Sequence, residues 1–458
     1  MAFLPHSDKL LMDQINQKFS INPEKFSYLN KIFFNNKCPS FFQFMETNCE
    51  SESKEFLKYY PNLQKLVFNI KEILPIRVPF LKKYSKNKKI TLTRRQAALI
   101  FLLSFFGCIQ QKKINGFNVW YRLFQNTIKD MEFGRCFLNY LTTIGKWLQQ
   151  NNPILEDNII YLRNNIQDMT IYSKKEIDLC EIKFFEKDSM FNGEASYCVD
   201  FANKFIGGGV LSKGCVQEEI LFAKEPEATV SMFFMEVMDD NDAIGIFNTI
   251  EYSETTGYSD TFRFEKTAIT DDLLKIKKHN LIAIDALINI NYIQNYLNYQ
   301  NQKNQNFLFY QNYQNNNFRN YQNKNFQINS NYLHNSNLQN NNNNLINQKE
   351  FTRDIHKAYV GFNLINLDGN NLEKTIATGN WGCGAFGGNH ELKFIQQWIA
   401  ASFAGVKRLD YYTFSHNKMK IAIDCYEIIK NKYQKANNLY KAIVNNKIKG
   451  DNIIVNLL

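Results

Sequence analysis

Three consecutive glycines, Gly207 to Gly209, are separated by a seven-residue spacer from Gln217-Glu218-Glu219, in a run that begins Asp200-Phe-Ala-Asn203. A contiguous glycine turn gives up helix and strand stability in return for close approach of its backbone to a ligand, and the amides it exposes suit a phosphate. The adjacent carboxylates add acid/base capacity beside that turn. The pattern is neither of the two common phosphate motifs: no Lys-Ser/Thr closes it as in a P-loop, and the spacing is not that of a dinucleotide fingerprint. Neighbouring residues on a helix project about 100° apart, so Glu218 and Glu219 cannot both face one bond as the carboxylate pair of a retaining glycosidase does. They should have different jobs.

A second glycine-rich loop runs from Ala377 through Asn380-Trp381-Gly-Cys-Gly384-Ala385-Phe386 to Gly388, with five glycines between 379 and 388. Loops of this kind wrap phosphates with successive backbone amides.

These residues need a scaffold. Tyr197 to Asp200 reads as a short apolar strand that ends at the glycine turn, with a helical segment carrying Gln217, Glu218 and Glu219 at its beginning. Strand, glycine turn and helix in that order mark where α/β sheets bind nucleotides. From about residue 151, strand-like runs at 158–161, 197–200, 243–247, 283–285 and 409–413 alternate with helical segments, which predicts an α/β domain over 151–458. Residues 1–150 instead place apolar residues at helical spacing, as at Leu63, Leu66 and Ile70, and predict an all-helical N-terminal accessory domain. The apolar stretch Ala97 to Ile109 is too short to span a bilayer and follows the polar helix start Thr93-Arg94-Arg95-Gln96, so it reads as a buried helix.

Between 289 and 348 Asn, Gln and Tyr dominate with almost no acidic residues. Such a composition buries too little apolar surface to offset chain entropy, and predicts a low-complexity spacer interrupting the α/β domain. Tyr310, Tyr313, Phe318 and Tyr321 interleaved with Arg319 and Lys324 leave nucleic-acid binding as an alternative for this insert.

Composition excludes several classes. Of 458 residues 44% are hydrophobic and 15% aromatic, ample for burial. The formal charge of +10 favours a polyanionic partner, although solvated lysine surfaces give the same balance. Nine cysteines, an odd number without C-x-x-C spacing, predict a reduced intracellular compartment and no structural zinc. Six dispersed histidines form no H-x-x-x-H or H-E-x-x-H pair, which disfavours a metal-dependent hydrolase. The opening Met-Ala-Phe-Leu-Pro-His lacks the order of a signal peptide, so secretion is not expected.

The GGG turn, spacer and Gln217-Glu218-Glu219 together resemble the signature of the poly(ADP-ribose) glycohydrolases. Four further landmarks follow in family order: Tyr252-Ser-Glu-Thr-Thr-Gly257-Tyr258, Ile284-Asp285-Ala286, the loop Ala377 to Gly388, and Tyr412-Thr413-Phe414. The resemblance implies a macrodomain, a three-layer fold with a mixed central sheet, behind a helical accessory region. It implies hydrolysis of the ribose–ribose O-glycosidic bonds of poly(ADP-ribose), through an oxocarbenium-like species, without metal or organic cofactor. By resemblance Glu219 is the general acid and Glu218 holds ribose hydroxyls. Gly207, Gly208 and Gly209 pass close to the diphosphate and terminal ribose, and Asn380, Gly384, Ala385 and Phe386 form the opposite wall. Asn203 is similar to the family's ribose-binding Asn, Asp200 supports the turn, Gln217 belongs to the same substrate-binding set, and Tyr258 and Phe414 stack on adenine and ribose. The expected partners are poly(ADP-ribose) and ADP-ribosylated proteins, with no direct DNA binding and no membrane, for a monomer in the nucleus, the cytoplasm or both. The alternative is a non-catalytic macrodomain that only binds ADP-ribose or its polymer, which has no need of Glu219.

Overall fold

A computed structural model of the chain describes residues 9–74, 78–109, 128–212, 214–289, 346–369, 371–445 and 452–458. The insert read at 289–348 therefore lies, from 290 to 345, outside the described residues.

Ten strands are present among the described residues: β1 Lys88–Thr93, β2 Asn158–Asn165, β3 Glu181–Phe185, β4 Tyr197–Asp200, β5 Asp242–Ile250, β6 Ser253–Thr256, β7 Arg263–Thr267, β8 Lys278–Ala283, β9 Thr375–Gly379 and β10 Arg408–Tyr412. Eight of them form one sheet in the order β1-β2-β5-β8-β4-β9-β10-β3, and β6 with β7 makes a separate hairpin. The half from β8 to β3 is parallel and the half from β1 to β8 antiparallel. In β4 and β9 every residue is buried and in β5 nearly every one is. Both faces of the sheet are therefore covered, which explains why these strands lack polar alternation. The Gln348–Phe362 helix packs on β2, β5 and β8, and Gly361 lets it approach so closely that an added Cβ there would collide with Ile284.

The buried helix expected from Ala97 is Arg94–Phe105. Thr93 caps it by accepting from Gln96 N while the Gln96 side chain answers the Thr93 backbone, a reciprocal cap that fixes the first turn. Arg94, one of the residues that made this start look polar, is fully buried and paired with Glu227, itself bonded by the Tyr252 hydroxyl at 2.6 Å.

Among the described residues before 150 the named elements are helices apart from β1, which pairs antiparallel with β2 from Lys88 opposite Arg163 to Thr93 opposite Asn158. The run expected at 158–161 extends to Asn165, that at 197–200 is β4 residue for residue, and those at 243–247 and 409–413 fall on β5 and β10. The one expected at 283–285 is displaced, because β8 ends at Ala283. Past that point Ile284 N donates to Asp200 O at 3.3 Å, and the Asp285 carboxylate is drawn to Arg353 and Lys357. All nine cysteines are free thiols. Among the described residues no helix is long and apolar enough to cross a membrane.

Candidate active site

Register places the candidate residues on one edge of the sheet. Asp200 is level with Ala283 across the β4–β8 pair, and Tyr412 with Gly379 across β9–β10. Tyr197 faces Ile376 and Cys198 faces Ala377, so continuing the register sets Asp200 level with Gly379. The C-terminal ends of four adjacent parallel strands thus stop on a common line, and the segments beyond them carry the two glycine-rich loops, Asp285 and Phe414. Ligands of open α/β sheets bind outside such carboxyl ends.

Beyond β4 the chain makes the first glycine turn and enters the Gln217–Lys224 helix. Gln217 sits at the helix start with its amide clasping the strand end: Oε1 accepts from Phe201 N at 2.8 Å and Nε2 donates to Val199 O at 3.1 Å. Glu218 accepts from Asn203 N at 2.8 Å and Gly207 N at 2.6 Å, while Glu219 accepts from Gly209 N at 2.8 Å and Val216 N at 2.9 Å. Both glutamates are buried, not solvent-facing, and each is held by a different pair of amides. Asn203 also closes the turn, its Oδ1 accepting from Phe205 N at 3.0 Å.

Gly208 lies between the two carboxylates with φ +49°, and a Cβ there would stand 2.5 Å from both Glu218 Oε2 and Glu219 Oε1. No other residue type fits that backbone and that space. Gly214, in the spacer, meets the same limit at 2.5 Å from Glu219 Oε1. It does not stand out in the sequence, because an isolated glycine in a short spacer looks like any turn.

Asp200 is completely buried and neither of its carboxylate oxygens has a hydrogen-bond partner among the described residues. Burial pushes its carboxyl well above the usual range, and the nearby Glu219 and Glu225 push it further. Burial also drives Glu218 well up, with help from Asp200 and Glu219 and against the amides of Asn203 and Gly207. Asp200 and Glu218 therefore resist ionisation and hold protons that solvent-exposed carboxyls would lose.

In the second loop the Asn380 side chain donates to Thr413 O at 3.1 Å and joins β9 to the segment after β10. Trp381 is buried and its indole donates to Ile284 O at 2.9 Å. Gly384 and Ala385 form the exposed tip, and Phe386 packs partly on the core. Asn289, where the insert begins, donates from N to Phe386 O at 2.9 Å and from Nδ2 to Gly387 O at 3.3 Å. Phe414 is exposed and held at φ +52°, as is Ser415, a strained backbone that turns the ring out of the fold.

Tyr258 follows β6 on a turn that positive φ at Gly257 permits. Ser259 N donates to Cys215 O at 3.1 Å, which fastens this turn to the spacer beside Glu219. The Tyr258 ring is exposed, yet burial of its hydroxyl end, then Glu219, raise its pKa. The hairpin leans on the helical region: Asn139 donates to Tyr252 O at 2.7 Å, Phe264 N donates to Glu132 at 2.8 Å, and Phe133 meets Phe262 edge to face at 4.8 Å. Hydrogen bonds thus gather Gln217, Glu218, Glu219, Asn203 and the GGG turn into one cluster, while strand register brings Asn380, Gly384, Ala385, Phe386 and Phe414 to the same edge.

Paired acid groups beside a glycine turn at the carboxyl ends of a mixed sheet define a macrodomain-type site equipped for proton transfer. Sequence comparison makes the assignment specific. The family model for poly(ADP-ribose) glycohydrolase with the macro domain fold matches residues 169–305 and 287–421, and the model for that family's helical domain matches 48–163. The chain belongs to the poly(ADP-ribose) glycohydrolase family. It is similar to poly(ADP-ribose) glycohydrolase 1 of Arabidopsis thaliana, 34% identical over 271 residues, which cover 54% of this chain and 48% of that protein. It is also similar to poly(ADP-ribose) glycohydrolase 1 of Caenorhabditis elegans, 30% identical over 268 residues, covering 56% of this chain and 28% of that protein. The match thus spans about half the length of the plant relative, and less of the nematode one. A crystal structure of the Thermomonospora curvata poly(ADP-ribose) glycohydrolase bound to the inhibitor ADP-HPD aligns over 56% of this chain and 80% of that chain, at 12% identity and a TM-score of 0.32.

Proposed function

We propose that the chain hydrolyses the ribose–ribose O-glycosidic bonds of poly(ADP-ribose) and releases ADP-ribose. The observation that carries this reading is the buried pair Glu218 and Glu219, each fixed by two backbone amides around Gly208, with the charge of Asp200 acting on both. A module that only binds ADP-ribose has no use for a second carboxyl held there.

In this reading the diphosphate lies between Gly207 to Gly209 and the loop Asn380 to Phe386, and Tyr258 and Phe414 offer their exposed rings to the adenosine. Each Glu218 oxygen keeps a lone pair beyond the one given to its amide, enough to accept from ribose hydroxyls. Glu219 gives a proton to the 2′ oxygen of the departing ribose as the bond from that oxygen to the neighbouring C1″ breaks, leaving positive charge over C1″ and its ring oxygen. Water then adds to C1″ and returns a proton to the Glu219 carboxylate, so one group serves both halves of the reaction. Gln217 acts by holding the β4 end, and Asp200 by discouraging ionisation of Glu218. Residues 1–150 are the accessory domain and 151–458 the catalytic one. Polymer and ADP-ribosylated proteins are met inside the cell, in nucleus or cytoplasm, by a monomer.

The test is ADP-ribose release from purified polymer by wild type and by Glu219→Gln, with polymer binding measured in parallel. Release should fall by at least about 10²-fold with binding retained. A wild type that binds polymer but releases nothing would establish the reader alternative instead.

A further inference from the structure

The second glycine-rich loop closes on itself where Gly388 N donates to Gly382 O at 2.9 Å, and a lysine runs beneath that closure. Lys393 lies in the first turns of the His390–Ala404 helix. A Cβ on Gly388 would come within 2.9 Å of Lys393 Cε, and one on Gly382 within 3.3 Å, so the lysine stem fills the space under both glycines. The ammonium stands 4.6 Å from the centre of the Trp381 ring and pairs with the Asp354 carboxylate. Asp354 is held from two other directions, by Arg353 Nη1 at 2.8 Å and by Leu287 N at 3.3 Å. Lys393 therefore joins the loop to the Gln348–Phe362 helix and to the segment leaving β8.

The residue is only 4% exposed, which keeps its charge away from any bound polymer. Desolvating an ammonium and a carboxylate together is a poor route to stability, since apolar side chains of equal volume commonly do as well. What the pair adds is a fixed geometry for the loop above it.

We infer that Lys393 is a positioning residue, whose ion pair with Asp354 aims the backbone amides of the Asn380–Gly388 loop at the diphosphate of ADP-ribose. The inference rests on the function proposed above and extends it to a residue that touches no substrate.

Lys393→Met keeps the stem and removes the ammonium. Because it takes away one of the two cations that Asp354 faces, the double variant Lys393→Met/Asp354→Asn accompanies it and removes that carboxylate charge as well. Amide hydrogen exchange across 380–388 should rise in both variants while exchange in the His390–Ala404 helix core stays low. ADP-ribose affinity should drop about tenfold, and KM for polymer should rise with kcat little changed, the pattern of an interaction made equally in ground and transition states. A lower melting temperature with unchanged loop exchange and unchanged KM would reduce the pair to a structural contact and overturn the inference. Should wild type bind no ADP-ribose, the proposed function fails, and the exchange comparison still decides whether Lys393 sets the loop.

Discussion

Gly208→Ala tests the geometry of the carboxylate pair directly. At φ +49° an alanine is strained by about 1–2 kcal/mol. The larger effect is steric: its Cβ would lie 2.5 Å from an oxygen of each glutamate, where ordinary contact begins at 3.4 Å. Relief requires the turn or the carboxylates to shift by about 0.9 Å, and a displacement near 1 Å at a reacting group costs about 10²-fold in rate. Strain alone is reproduced by Gly405→Ala, where φ is +73° and no atom lies within 4 Å of the new Cβ. Gly405→Ala should lose only the strain, Gly208→Ala should lose more stability to denaturant, and only Gly208→Ala should lose turnover of purified polymer, by about 10²-fold. Wild-type turnover in Gly208→Ala, or an equal loss in Gly405→Ala, would refute the claim that the glutamates are held to within an ångström.

Asp200→Asn should change how stability depends on pH. Because burial raises the folded-state pKa of Asp200 above its unfolded value, the folded protein binds the extra proton, and the stability penalty is absent at low pH and grows as pH rises through the unfolded pKa. The variant should therefore gain on wild type from pH 4 toward neutrality in thermal melts, and a pH-independent difference would contradict a buried carboxyl that resists ionisation. Thr93→Ala removes the reciprocal cap of Arg94–Phe105 and should cost about 1 kcal/mol, read as a lower denaturant midpoint at unchanged slope, with polymer turnover unaffected.

Local chemistry was the legible part of the sequence. The cap at Thr93, the strand Tyr197–Asp200 and the helix opening at Gln217 each depend on residues within a few positions of one another, and each lies where the pattern put it. The strand β1 was hidden because Ile90 and Leu92 alternate over too short a span amid helices, and its partner β2 lies some 70 residues onward. Arg94 looked like a polar helix start because nothing nearby announces Glu227, which buries it. Lys393 passed as one more lysine for the same reason, since Asp354 and Trp381 meet it only through the fold. Asp285 shows the limit from the other side: the I-D-A run looks like a strand end, yet the strand stops at Ala283 and Arg353 and Lys357, distant in sequence, hold the carboxylate beyond it.

The place of β1 bears on how this molecule can be cut. A macrodomain taken alone from residue 151 would leave β2 as a bare outer strand, six residues of unpaired backbone between Asn158 and Arg163 open to any passing chain. It would also lose Glu132 and Asn139, and with them the footing of the hairpin that presents Tyr258. Truncation should therefore yield a sticky, self-associating fragment. The accessory helices are spliced into the sheet by a single strand, so a shortened version for crystallography or screening should begin ahead of Lys88, not at the texture change near 151.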